Sequence, residues 1–188
     1  MEKIDRIILG QNQFFGVNHI SDSRGNETRD YFYDIENILT YLRDALSLGI
    51  NSLTIGTHPL TPKIMDGIRG DDSLKNNLNI YPSMPSPAKI LRMTSELGIP
   101  QTLVNLLSQT DYKSKFRLLL KGGVGGLINK DINSILEALL EVELSIFAGL
   151  NVKGVFLSNN INDLALGLNL REMFETYIRI LENKSIIP

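Results

Sequence analysis

Leu48-Gly49-Ile50-Asn51-Ser52-Leu53-Thr54-Ile55-Gly56-Thr57-His58-Pro59-Leu60-Thr61-Pro62 is the stretch that decides the fold. Gly49 stands where a preceding helix has to stop, because glycine enters the left-handed region without penalty. Ser52 to Gly56 is a short apolar run closed by glycine, the mark of a strand. Thr57-His58-Pro59 is a tight loop. Thr61-Pro62 then reads as a helix N-cap followed by proline at the first helical position. Helix, strand, loop and helix in immediate succession make a βα unit.

The same unit recurs on both sides. Upstream, Arg6 to Gly10 reads as a strand that opens onto a polar-aromatic loop, Gln11 to His19. Ile35, Ile38, Leu39, Leu42, Ala45 and Leu46 then recur at helical spacing. The helix begun at Thr61-Pro62 is expected to be short or broken, since Gly67, Gly70 and Asp71-Asp72-Ser73 interrupt it. Downstream, Leu78 to Tyr81 reads as a third strand. Ser86-Pro87 repeats the cap-and-proline device for a helix ending at Gly98. A fourth strand is expected at Lys153 to Leu157, opening onto Ser158-Asn159-Asn160. Asn169 and Glu172 have capping-box spacing, and the last helix should bury Met173, Phe174, Tyr177, Ile178 and Leu181.

Between Pro100 and Gly149 only helical periodicity is found, which predicts a helical insertion, a lid over the strand ends. The glycine-rich Lys121 to Gly126 lacks phosphate-loop spacing and reads as a connection between insertion helices. The expected fold is α/β: a partial or half (β/α)8 TIM-type barrel of four parallel strands in the order 1-2-3-4. Residues 1–188 are expected to form one domain, with the insertion at about 100–149 between strands three and four. A doubly wound sheet is the alternative, but G-x-G-x-x-G is missing after the first strand. Ser185-Ile186-Ile187-Pro188 reads as the start of a fifth strand, and a full barrel takes ~250 residues. A missing C-terminal half or a homo-oligomer is therefore expected to cover the open edges.

Composition narrows the class. Of 188 residues, 43% are hydrophobic, enough for a substantial core, and the net charge of −2 without long blocks of one sign gives nucleic acid or a membrane nothing to hold. With no cysteine, disulfides and thiolate metal sites are excluded. The first residues lack a signal-peptide core, and no apolar run nears the ~20 residues of a transmembrane helix. A cytoplasmic protein is expected.

The two histidines, His19 and His58, both follow predicted strands, at the end where parallel α/β folds place chemistry. Imidazole suits acid/base work near neutral pH, so both are candidate catalytic residues. The bland alternative is a loop histidine bonded to backbone, and Asn18-His19 also reads as a turn. Gln11, Asn12 and Gln13 offer amides to substrate oxygens, Phe15 a hydrophobic wall, and Ser83, Ser158 and Asn159 polar groups on the same rim. A metal shared by the histidines would need Asp22 or Asp163 as a further ligand, and no metal-ligand spacing exists, so no metal is assigned.

Leu48 to Gly56 resembles the second-strand segment of aldo/keto reductases, and Gly154-Val155-Phe156-Leu157-Ser158-Asn159 is similar to the strand end that holds nicotinamide in that family. The resemblance implies a barrel. The family's tetrad aspartate and tyrosine would fall at Thr54 and near Pro59, so its chemistry is not matched. The expected function is a barrel-type metabolic enzyme acting on a small polar, phosphorylated or carbonyl-bearing metabolite, as lyase, isomerase or hydrolase. An NAD(P)- or flavin-dependent oxidoreductase is one alternative, and a non-catalytic half-barrel assembly or binding module is another. No cofactor is assigned.

Overall fold

The computed structural model describes residues 4–86, 132–167 and 169–188. The chain is α/β, with a small sheet of four strands among the described residues. Helix α1 spans Asp22–Tyr31, α2 Ile35–Ser47, α3 Thr61–Gly70 and α4 Asp72–Asn77, with strand β1 at Ser52–Gly56 and β2 at Asn79–Met84. Then follow α5 (Ile132–Leu144), β3 (Asn151–Val152), β4 (Phe156–Leu157), α6 (Asn159–Gly167) and α7 (Arg171–Glu182). No described helix is long and apolar enough to cross a membrane.

Two compact units divide the chain. The first is Met1–Pro82 with Gly149–Gly154, and the second is Ser83–Ala148 with Val155–Pro188. In the first unit β1 neighbours β2, and β2 runs parallel to β3 with Asn79 opposite Asn151. Leu53 and Ile55 of β1, Ile38 and Leu42 of α2 and Ile64, Met65 and Ile68 of α3 all have no exposure and belong to the apolar core. Asp71 splits α3 from α4, as the broken pattern predicts: its carboxylate caps α4 through the Leu74 N–H (2.9 Å) and pairs with Arg43 of α2 (2.7 Å).

In the second unit the last residues of β2 run parallel to β4, with Ser83 opposite Phe156. Leu139 and Leu140 of α5, Phe147, Val155 and Leu181 of α7 fill its core. The Val155 N–H donates to the Ile187 carbonyl (2.8 Å), so the predicted fifth-strand segment makes one bond beside β4.

Several local expectations are corrected. The Arg6–Gly10 strand reduces to one parallel bridge, Leu9 with Leu53. Its backbone bonds are Leu9 N–H to Ser52 and Thr54 N–H to Leu9, while Ile7 is 61% exposed and so has no packing to extend it. Of the expected Lys153–Leu157 strand only Phe156–Leu157 is a strand, and a separate two-residue strand, Asn151–Val152, precedes it. The Gln11–His19 loop holds a 3-10 turn, Asn12–Phe15, and α1 follows it unpredicted, because its sequence is polar on every side and carries no apolar period. Leu170, not Asn169, is the N-cap residue of α7, and Asn169 is left-handed at φ 53°. Helix α7 buries Thr176, Tyr177, Ile180 and Leu181, leaving Met173 and Phe174 half-buried and Ile178 exposed. The predicted helix ending at Gly98, most of the 100–149 insertion and the Lys121–Gly126 stretch lie outside the described residues; within the insertion's span α5 is helical as expected.

Candidate functional site

In the first unit the chemistry-bearing side chains gather where β1 ends. β1 delivers the chain to Gly56, and the next turn is knotted by Thr61. The buried Thr61 hydroxyl donates to the Gly56 carbonyl (2.7 Å) and accepts from the His58 N–H (3.0 Å), while the Thr61 N–H donates to the His58 carbonyl (2.9 Å). This corrects the expected N-cap. Leu60 occupies the cap position of α3, Thr61 is the first helical residue, and its hydroxyl serves the loop instead.

The His58 ring is solvent-exposed and held on two sides. Phe15 stacks on one face, with centroids 4.0 Å apart and planes inclined by 25°. Nδ1 accepts the Leu60 N–H at 3.2 Å. A nitrogen that accepts carries no proton, so the proton of the neutral ring resides on Nε2. Partial burial holds His58 below the usual histidine pKa. A bond to the unprotonated nitrogen and the partial positive charge at the start of α3 act in the same direction.

Phe15 reaches His58 because the 3-10 turn is anchored at both ends. Gln11 Oε1 accepts the Gly56 N–H (2.5 Å), and the Gln13 side chain donates to the Gly10 carbonyl (2.8 Å). Phe14 points the other way, into an edge-to-face cluster with Phe32 (5.2 Å) and Tyr41 (5.9 Å). Gly16 closes the turn at φ 67° and meets Gly25 of α1 so closely that a Cβ on Gly25 would lie 2.6 Å from the Gly16 carbonyl oxygen. Asn12 is exposed at the start of the turn.

Gln11, Phe15 and His58 are thus brought together. His19 is exposed in a turn where Asn18 Oδ1 accepts the Ile20 and Ser21 N–H groups (2.9 and 3.0 Å), and among the described residues no hydrogen bond, ion pair or ring contact joins it to His58. The remaining predicted residues belong to the second unit. Ser83 is half-buried in β2, Asn159 is the exposed first residue of α6, and Ser158 is 6% exposed with its Oγ buried and lacking a hydrogen-bond partner. Among the described residues no three His, Asp or Glu side chains are placed to hold a metal ion.

Two polar groupings, one half-buried and one buried, have no distinctive local mark in the sequence. At the opposite end of the first unit's strands, Asp5 Oδ2 accepts from Ser52 (2.6 Å), Asn79 (2.8 Å) and Tyr81 (2.8 Å), and Oδ1 pairs with Lys153 (2.9 Å). Burial pushes the Asp5 carboxyl up, but the bonds from Ser52, Lys153, Tyr81 and Asn79 outweigh it and hold the group far below the usual carboxylate range. In the second unit, Glu143 of α5 is 1% exposed and accepts the Ser86 N–H with both oxygens (3.0 and 3.2 Å). Tyr177 lies near the Met84 and Val155 carbonyls (3.5 and 3.4 Å); burial, and then the Glu143 charge, raise its phenol well above the usual value. An acidic residue inside the Leu-rich α5 period is the only signal the sequence offers for Glu143, and it fits a surface position equally well.

No protein-family model, curated protein or solved structure matches the chain.

Proposed function

We propose that the chain is a half-barrel metabolic enzyme whose site for a small polar metabolite lies at the C-terminal end of its first strands, with His58 as the acting group. The reaction class is proton transfer or bond cleavage beside a polarised oxygen, as in lyases and isomerases. The observation that carries the reading is the Phe15–His58 stack at the end of β1, with the ring's Nδ1 engaged and the ring exposed to solvent. Parallel α/β folds place their ligands at this end of the strands. The half-barrel arrangement is supported by the neighbours: Leu9 beside β1, β1 beside β2, and β2 beside β3 and β4. Gln11 lies on the same strand end through Gly56, and Phe15 supplies an apolar wall. Asn12, the first residue of the turn that carries Phe15, is a secondary member of the proposed substrate site.

The test is a thermal-shift screen of the full chain against small polar metabolites, run in parallel on His58→Ala. A ligand of the folded state raises Tm by mass action. A metabolite that raises the wild-type Tm and leaves His58→Ala unmoved supports the reading. If every shift persists in His58→Ala, the site lies elsewhere.

A further inference from the structure

His58 is held by more bonds than an exposed loop histidine needs, and their polarity fixes what it can do. Its main chain is tied at Gly56 and Thr61, and its ring accepts the Leu60 N–H at the start of α3. An imidazolium has no acceptor, so protonating Nδ1 would break that bond and set a cation against the helix N-terminus. Gln11 has a similar polarity. The atom that meets the Gly56 N–H has to be the amide oxygen, which leaves the Gln11 NH2 as a donor pair.

We infer that His58 Nε2–H and the Gln11 amide NH2 are a pair of fixed, uncharged donors that bind the carbonyl oxygen of an uncharged ketone or aldehyde substrate, with His58 serving as hydrogen-bond donor and not as resting base. This rests on the proposed site and names its substrate class. Neutral, preorientated donors favour an oxygen that gains charge as the reaction proceeds, which is how such groups accelerate enolisation and retro-aldol cleavage. An anionic phosphate would call for a cation or several backbone N–H groups instead.

The test is 15N NMR of the full chain labelled at histidine, with His58→Gln used to assign the signals. At neutral pH the His58 signal should be that of a neutral ring protonated on Nε2. Dihydroxyacetone, an uncharged ketone, should shift the Nε2–H resonance, while inorganic phosphate should leave it in place. Gln11→Glu keeps an oxygen for the Gly56 N–H but loses the donors, and should weaken dihydroxyacetone binding about tenfold. A ring protonated on Nδ1, or an imidazolium at neutral pH, overturns the inference while the thermal-shift result stands or falls separately. The fixed Nε2–H form with no response to dihydroxyacetone, or with a response to phosphate, overturns the substrate class.

Discussion

The two ends of the first unit's strands are built on opposite plans. At the N-terminal end, Asp5 is a charged hub: four side chains from β1, β2 and the segment after β3 converge on one carboxylate, and both oxygens are used. At the C-terminal end the groups are neutral, the bonds run from side chain to backbone, and donors are left over. A charge that is paired and hydrogen-bonded on all sides is committed to holding strands together. Leftover donors on anchored side chains are what a ligand site needs. Conserving bonding capacity at one end and exhausting it at the other is the physical difference between a foundation and a binding rim.

The largest expected effect is at the foundation. Asp5→Ala leaves Ser52, Asn79, Tyr81 and Lys153 without their shared acceptor and should lower the unfolding free energy by about 3 kcal/mol, read by urea denaturation. A loss below about 1 kcal/mol would erase the contrast between the two ends. The same group gives the pH dependence its sign. Asp5 titrates lower in the folded chain than in the unfolded one, so its contribution is complete above about pH 4 and is lost as pH falls further. Asp5→Asn should flatten that acid limb of the stability curve; an unchanged limb would place the titration elsewhere.

A smaller effect is expected at the rim. Thr61→Val removes the hydroxyl that bonds Gly56 and His58 and should cost about 1–2 kcal/mol in denaturant. It should also release the ring, so that the NMR signal of His58 moves toward a mixture of tautomers, and Thr61→Ser should restore the single form. If Thr61→Val leaves the tautomer fixed, the Leu60 bond suffices alone. The smallest effect is at His58 itself. Its side chain makes one hydrogen bond and one stack, and its main-chain bonds survive the substitution, so His58→Ala should change stability by less than about 1 kcal/mol while abolishing ligand-induced Tm shifts. A large destabilisation would make His58 a structural residue and move the rim onto the foundation's side of the contrast.

How much of this the sequence shows depends on the range of the forces involved. β1 and β2 are bounded by glycine, proline and asparagine within a few residues, so their signals are local and legible. His58 and Gln11 are legible as candidates because each comes just after a run that reads as a strand. The partner of His58 is not, since Phe14 and Phe15 are adjacent aromatics, and only the 3-10 turn decides which enters the core and which meets the ring. The Asp5 hub unites residues from Asp5 to Lys153, and no local pattern marks such a gathering. The first strand failed for a related reason: Ile7 and Ile8 have strand-like composition, but β pairing takes a partner along its length, and Leu9 alone has one.

Gly16 and Gly25 carry a consequence for recognising kin of this chain. Helix α1 buries only Gly25, so its charged surface is free to drift from one descendant to another without loss of the fold. The two backbones that meet there are not free: Arg29 and the Gly25 carbonyl crowd Gly16, and the Gly16 carbonyl crowds Gly25. A methyl group at either position would push the turn bearing Phe15 away from α1. Two glycines at this separation, before a strand that ends in glycine and runs into a Thr-His-Pro loop, therefore make a better fingerprint for distant relatives than any stretch of identical surface residues.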